Sequence, residues 1–375
     1  MDLQKILSIF TFDIGHFSWK NIVMILVGLI LIYLAIKKEY EPVLLLPIGF
    51  GCILANLGMA ATADGTGFLS ALYRAGIQTE LFPLLIFIGV GGMIDFSPLL
   101  AQPKMALLGA AGQFGIFATL ILAILLGFDL KQAASIGSIG AIDGPTAIFV
   151  SGKLAPELLA PIAVAAYSYM SLVPIIQRPV MKLLTTRKER LIRMEYAPRT
   201  VSKQALIIFP IAVTVVVSLI APEAAPLIAA LMLGNLLKES GVVDRLNKSA
   251  QNEIINIATL FLGLTIGGTM QAESFLQVTT LKVLGLGLIA FILDTVMGLL
   301  FGKIMAFFSG GKINPLIGAC GISAFPMAGR LSAKMAQDED FDNFILMHAM
   351  GANTAGQLAS VIAGGLLLTL VNLLG

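Results

Sequence analysis

The chain has 375 residues, of which 57% are hydrophobic and only 12% charged, whereas about a quarter of an ordinary soluble domain is charged. Mean hydropathy is +0.93 and the formal net charge is +2, so nothing resembles a basic face for nucleic acid. Two cysteines (Cys52, Cys320) and two histidines (His16, His348) stand far apart in sequence, which excludes a Cys/His metal cluster and a disulfide scaffold.

Several apolar runs reach the roughly 20 residues that a bilayer crossing needs, so the expected class is an all-α polytopic membrane protein. In chain order, a half-polar stretch with Phe10, Phe12, Phe17 and Trp19 comes first. It reads as an interfacial helix rather than a cleaved signal, because no small-residue cleavage site follows. Apolar spans are expected at 22–36, 42–60, 81–95, 104–127 and 155–177. Between Arg178 and Lys203 come eight Lys/Arg and two Glu, the one long polar stretch. Five further spans follow at 204–220, 225–237, 254–270, 281–308 and 344–374. Two segments, 132–153 and 313–334, are too interrupted by Gly and Pro to cross simply, and each falls between the fourth and fifth span of its half.

That placement predicts an internal repeat. Asn56-Leu57 recurs as Asn235-Leu236, Gly91-Gly92 as Gly267-Gly268, and Gly152-Lys153-Leu154 as Gly329-Arg330-Leu331, at offsets of 179, 176 and 177. The excess of Lys and Arg places 178–203 in the cytoplasm, with Lys104, Lys312 and Arg330 on the same side. Five spans per half is an odd number, so the halves have opposite topology. The expected organisation is 1–177 as first repeat, 178–203 as basic cytoplasmic loop and 204–375 as second repeat. Ten transmembrane helices with two re-entrant broken segments give an inverted-repeat, elevator-type carrier, whose site lies where the broken segments meet.

In "SIGSIGAIDGPTAIFVSGKL" Asp143 sits at such a break. A carboxylate inside the membrane is costly, and free backbone there is tolerated only where protein or water covers it. Asp143 is therefore read as a cation site, compatible with its place as cap of the helix that begins near Pro145. Tyr167 and Tyr169 follow on the next span and, two residues apart, point to different faces. On the last span Asn353, Gln357 and Ser360 share a face at helical spacing, and Ser323 lies in the second broken segment. Oxygens from Asp143, Asn353, Ser323 and Ser360 suit a hard cation such as sodium. Arg330 and Lys153, at matched positions, are the candidate anion-binding cations. Asp95 reads as a span-end cap, Asp294 as structural pairing or a second ion position, and His348 as a packed histidine.

"GSIGAIDGPTAIF", "GGMIDFSPLL", "YSYMSLVPIIQRP" and "HAMGANTAGQLAS" resemble the β subunit of the biotin-dependent, sodium-translocating decarboxylases, the family of the oxaloacetate, methylmalonyl-CoA and glutaconyl-CoA enzymes. The resemblance runs from about Gly28 to Gly365. It implies a multi-pass subunit of the cell (inner) membrane that decarboxylates carboxybiotin and couples CO2 release to sodium export with proton uptake. It further implies a biotin carrier, a carboxyltransferase subunit and a small membrane-anchor subunit as partners, with lipid around a homo-oligomer. Asp143 matches the family's essential intramembrane aspartate and Tyr169 its functional tyrosine. Asn353, with Gly356 and Ser360, matches the polar part of the last helix, and Arg330 an arginine that meets carboxybiotin. Biotin itself belongs to the separate carrier: Ser332–Ala336, "SAKMA", lacks the methionine before lysine of a biotin attachment site. The chain is shorter than the oxaloacetate members, which leans towards an acyl-CoA decarboxylase. The competing reading is a stand-alone sodium- or proton-coupled carrier of an organic anion.

Overall fold

An apolar run without water around it must pair its own N–H and C=O groups, and every regular element among the described residues is helical. The computed structural model describes residues 18–39, 42–62, 64–195 and 201–374. The interfacial helix expected before Trp19 lies outside the described residues.

The first half contains α1 (Trp19–Lys38), α2 (Pro42–Asn56), α3 (Leu81–Met93), α4 (Ala106–Ala111), α5 (Phe114–Leu125), α6 (Leu130–Gly137), α7 (Gly144–Leu154), α8 (Leu159–Ser171) and α9 (Val173–Leu184). The second contains α10 (Lys203–Ile220), α11 (Ala225–Ser240), α12 (Ile255–Gly268), α13 (Val278–Phe308), α14 (Met327–Glu339) and α15 (Leu346–Leu374). Among the described residues five helices are long and apolar enough to cross a membrane, or up to seven if each of two bent pairs is one span. The expected spans at 42–60, 81–95, 225–237 and 254–270 appear as helices of 15, 13, 16 and 14 residues. Fifteen residues reach only about 22 Å at about 1.5 Å each, short of the roughly 30 Å hydrocarbon core.

The halves interlock through these short helices. α2 packs on α12, and α3 packs on α11. Asn56, at the end of α2, donates to the carbonyls of Cys52 and Met270 at 2.8 Å each, and its Oδ1 accepts from Ala272 N–H at 3.0 Å. Asn235, on α11, donates to the carbonyls of Ile94 at 3.2 Å and Gly91 at 3.4 Å. Each asparagine thus satisfies carbonyls freed just beyond the glycine pair of the opposite half. Two buried amides doing the same job at positions matched in sequence is a symmetric arrangement.

Both interrupted segments are broken as expected. The first runs through α6, a 3-10 turn Ser138–Ala141 and α7. Asp129 starts it by accepting from Gln132 N–H at 2.9 Å, an N-cap. The turn ends at Ile142, whose φ of +52° is left-handed, an outlier for a β-branched side chain. The second segment opens with a 3-10 turn, Pro315–Cys320, and continues as irregular chain to α14. Ile142, Phe291, Ile322 and Ala324 share one buried cluster, which joins the two breaks.

The basic stretch folds back on the end of α14. Arg178 pairs with Asp338 at 2.8 Å, Arg190 with Glu339 at 2.7 Å and Arg193 with Asp340 at 2.7 Å. Asn314 and Asn343 both donate to the carbonyls of Arg190 and Ile192. The start of the second broken segment is thereby tied to the loop.

Candidate functional site

Asp143 occupies the N-cap position of α7 with extended backbone, and its carbonyl accepts from Ala147 N–H at 2.9 Å. Its side chain, 5% exposed, turns towards α15. Thr146 Oγ1 donates to Oδ2 at 2.8 Å, Gln357 Nε2 at 3.0 Å and Ser360 Oγ at 3.2 Å. All three side-chain donors reach one oxygen, Oδ2. A carboxylate held this way has its charge stabilised by hydrogen bonds from its own helix and from α15.

The second broken segment reaches the same helix. Asn353 Nδ2 donates to Ile322 carbonyl at 2.7 Å, and Ser323 Oγ to Gly356 carbonyl at 3.3 Å. Gln113, in the break between α4 and α5, donates to the carbonyls of Gly109 and Gly321 at 3.1 Å and Gly356 at 3.5 Å. Gln177 on α9 donates to Ala319 carbonyl at 2.7 Å. The amide oxygens of Asn353, Gln113 and Gln177 are buried and accept nothing. An oxygen that gives up water for no donor is costly, and three around one irregular segment make an oxygen-rich, donor-poor environment. Among the described residues no group of three or more His, Cys, Asp or Glu could hold a metal ion. The amide, hydroxyl and carboxylate oxygens gathered here are of the kind that hard cations take as ligands.

This close assembly depends on absent side chains. A Cβ on Gly321 would lie 2.1 Å from Leu108 carbonyl oxygen, and one on Gly144 would lie 2.1 Å from the Tyr167 ring. Backbone therefore meets backbone at Gly321, and the Tyr167 ring packs against the residue after Asp143.

Of the residues expected from sequence, Asp143 and Ser360 are in contact, and Asn353 and Ser323 line the neighbouring break on the same helix. Tyr169 is placed otherwise. Its hydroxyl donates to Leu284 carbonyl at 2.6 Å and its ring packs by Gly287, so the tyrosine beside Asp143 is Tyr167. Lys153 is held between Glu80 at 3.5 Å and Glu223 at 3.6 Å, over the Phe149 ring. Two acids already neutralise it. Arg330, in the first turn of α14, is exposed and makes no ion pair among the described residues. Lys153 and Arg330, the two candidate anion-binding cations at matched sequence positions, thus lie in different electrostatic settings. Asp294, expected as structural pairing or a second ion position, is fully buried on α13, where Oδ1 accepts from Gly115 N–H in the first turn of α5 and Oδ2 has no partner among the described residues. Sequence reasoning missed Thr146, three residues after Asp143 on the same turn, and Gln113, a lone amide in an apolar run.

Residues 20–371 match the family described as the Na+-transporting oxaloacetate decarboxylase beta subunit. The chain belongs to that family. It is 54% identical over 356 residues to the methylmalonyl-CoA decarboxylase subunit beta of Veillonella parvula, covering 95% of this chain and 94% of that one. It is 53% identical over 355 residues to the glutaconyl-CoA decarboxylase subunit beta of Acidaminococcus fermentans, with the same coverage. Against the oxaloacetate decarboxylase beta chain of Klebsiella pneumoniae the identity is 47% over 417 residues, 95% of this chain and 96% of the other. Family membership and several long apolar helices together make this β subunit a multi-pass membrane protein.

Proposed function

We propose that this chain is the membrane subunit of a sodium-pumping decarboxylase, which decarboxylates carboxybiotin brought by a carrier subunit and exports sodium while taking up a proton. The observation that carries the reading is the Asp143 carboxylate, buried, with three side-chain donors on Oδ2, at the junction of a broken segment with α15. Membership of a sodium-transporting decarboxylase family supports it over a stand-alone carrier. Identities of 53–54% with the acyl-CoA enzymes' subunits, against 47% with the oxaloacetate one, favour an acyl-CoA substrate for the complex.

Asp143 takes sodium from the cytoplasm, with Ser360, Ser323 and Asn353 as the surrounding oxygens, and takes a proton in its place from the other side. When bound, carboxybiotin supplies the driving step: its N–C bond breaks, the ring nitrogen gains a proton and CO2 leaves. Arg330 recognises the anion through its forked guanidinium. Tyr167 closes the site over Gly144, and Tyr169 anchors α8 to α13 at Leu284. The carrier architecture is an inverted repeat of ten crossings, the short helices completing theirs with the chain that flanks them. The reciprocal Asn56 and Asn235 clasps support that symmetry. Broken segments in both halves suit an elevator movement of the site. Partners are the biotin carrier, the carboxyltransferase and a membrane-anchor subunit, in a complex with several copies of this chain.

The test is sodium uptake by inside-out vesicles during decarboxylation, with avidin as blocker of the carrier. Asp143→Asn is expected to assemble normally and to lose more than about a hundredfold of sodium-dependent turnover, since it removes the charged acceptor. Substantial turnover in the correctly assembled variant refutes the assignment.

A further inference from the structure

A cavity of about 710 Å3 lies between the Pro103 turn, residues 193–195 of the basic stretch, the end of α13 and the first turn of α15. Its volume is in the range of small-molecule sites, about 300–1000 Å3, and far exceeds the space of a single inorganic ion. Lys104, Arg193 and Lys312 line it against one acid, Glu195. Arg193 is committed to Asp340 through two hydrogen bonds of 2.7 and 2.9 Å. Lys104 and Lys312 make no ion pair among the described residues, so two cations are left for a ligand. Pro103 and Ile313 add apolar wall. Ile313 immediately precedes Asn314, the cap of the second broken segment. The cavity thus stands at the entrance to the segment that carries Ser323, on the side that charge bias assigns to the cytoplasm.

We propose that this cavity is the receiving chamber for the carboxylated head group of the carrier's cofactor, with Lys104 and Lys312 drawing in the carboxylate. The proposal rests on the reading of the chain as a carboxybiotin-decarboxylating subunit. It adds to Arg330 an outer binding stage of different chemistry: two mobile ammonium groups attract an anion at a distance, and a guanidinium fork then fixes its orientation. An apolar wall beside paired cations suits a bicyclic body bearing one carboxylate better than a fully hydrated anion.

Two measurements on the full complex test it. In Gln102→Cys, with the native Cys52 and Cys320 buried, a sulfonate thiol reagent is compared with its ammonium counterpart, each relative to free thiol. The anionic reagent is expected to react at least about fivefold faster, and the preference to vanish when Lys104→Gln and Lys312→Gln are added. In turnover, the same two lysine changes are expected to raise KM for the carboxylated carrier at least about tenfold while kcat and sodium half-saturation move less than about twofold, and Lys104→Arg with Lys312→Arg is expected to restore KM. An unchanged KM, in a complex that Asp143→Asn still inactivates, overturns the chamber and leaves the proposed function standing. Absence of CO2 release from carboxylated carrier by the wild-type complex overturns both. A charge preference in labelling without any KM effect shows an anion-attracting vestibule that does not receive the cofactor, and also rejects the proposal.

Discussion

Three donors on a single carboxylate oxygen make the contribution of each one measurable. A hydrogen bond to a charged group contributes about 1.5–3 kcal/mol, or about 10- to 100-fold in an equilibrium. Gln357 reaches Asp143 from α15 at 3.0 Å, so Gln357→Leu removes a donor that favours the ionised form. Sodium then competes against a better-held proton, and its half-saturation constant is expected to rise at least about tenfold, with the shift shrinking as pH is raised. Sodium-dependence curves at two pH values check this; an unchanged constant refutes the role. At this scale the sequence carried much of the answer, because a carboxylate, an amide and a serine at helical spacing stand out in an apolar run. It did not decide between Tyr167 and Tyr169. Spacing says only that they face apart, and the choice is made by Gly144, which has room for one ring, and by a carbonyl at Leu284 far along the chain.

Between elements the site depends on close approach of backbones. Gly321→Ala forces a Cβ to 2.1 Å from Leu108 carbonyl oxygen, and overpacking of this kind costs about 1–3 kcal/mol. Its thermal unfolding in detergent is expected to begin at lower temperature, with weaker sodium protection, because Ser323 shifts with its segment. The clasp between the basic stretch and α14 responds to acid. The hydrogen bond from Arg190 holds the Glu339 carboxyl below the usual range, and that from Arg193 does the same for Asp340. Depressed values mean that this contribution is complete at neutral pH, begins to fade near the ordinary carboxylate value of about 4, and is lost as pH falls through the lower folded values. Hydrogen exchange at residues 187–193, corrected for intrinsic rate, is expected to speed up at acid pH, and Arg193→Ala to abolish part of the difference. Both breaks were legible as Gly/Pro interruptions. The lengths of the helices were not, since hydropathy reports where apolar residues lie and says nothing of where the chain turns after Asn56 or after Met93.

For the molecule as a whole, alternating exposure is the consequence of the proposed elevator. Thr146→Cys, beside Asp143, is expected to be labelled from the cytoplasmic face in sodium-free vesicles and from the opposite face when carboxylated carrier is supplied. Labelling from one side only under both conditions excludes movement of the site across the barrier. Near-constant offsets between Asn56 and Asn235 and between the glycine pairs are what the sequence offers for the proposed repeat. What those pairs do was hidden, because sequence offset does not reveal that each half's asparagine works in the other half.

That exchange has a consequence for how the chain is made. Asn56 finds its last partner at Ala272, 216 residues later. Ribosomes add about 5–20 residues each second, so the amide waits about 10 to 40 s after synthesis before its partner exists. During that time the nascent first half carries an amide oxygen whose partner is not yet made, and an unpaired buried polar atom is costly. A chain halted within the basic stretch should therefore be degraded rather than accumulate as a stable half, and co-expression of 201–375 as a separate polypeptide should rescue it. Asn56→Leu, which removes the exposed amide, should lengthen the lifetime of the halted half while weakening the finished protein. A pulse–chase comparison of the two fragments reads both effects, and places the vulnerable moment of this protein in its synthesis rather than in its catalytic cycle.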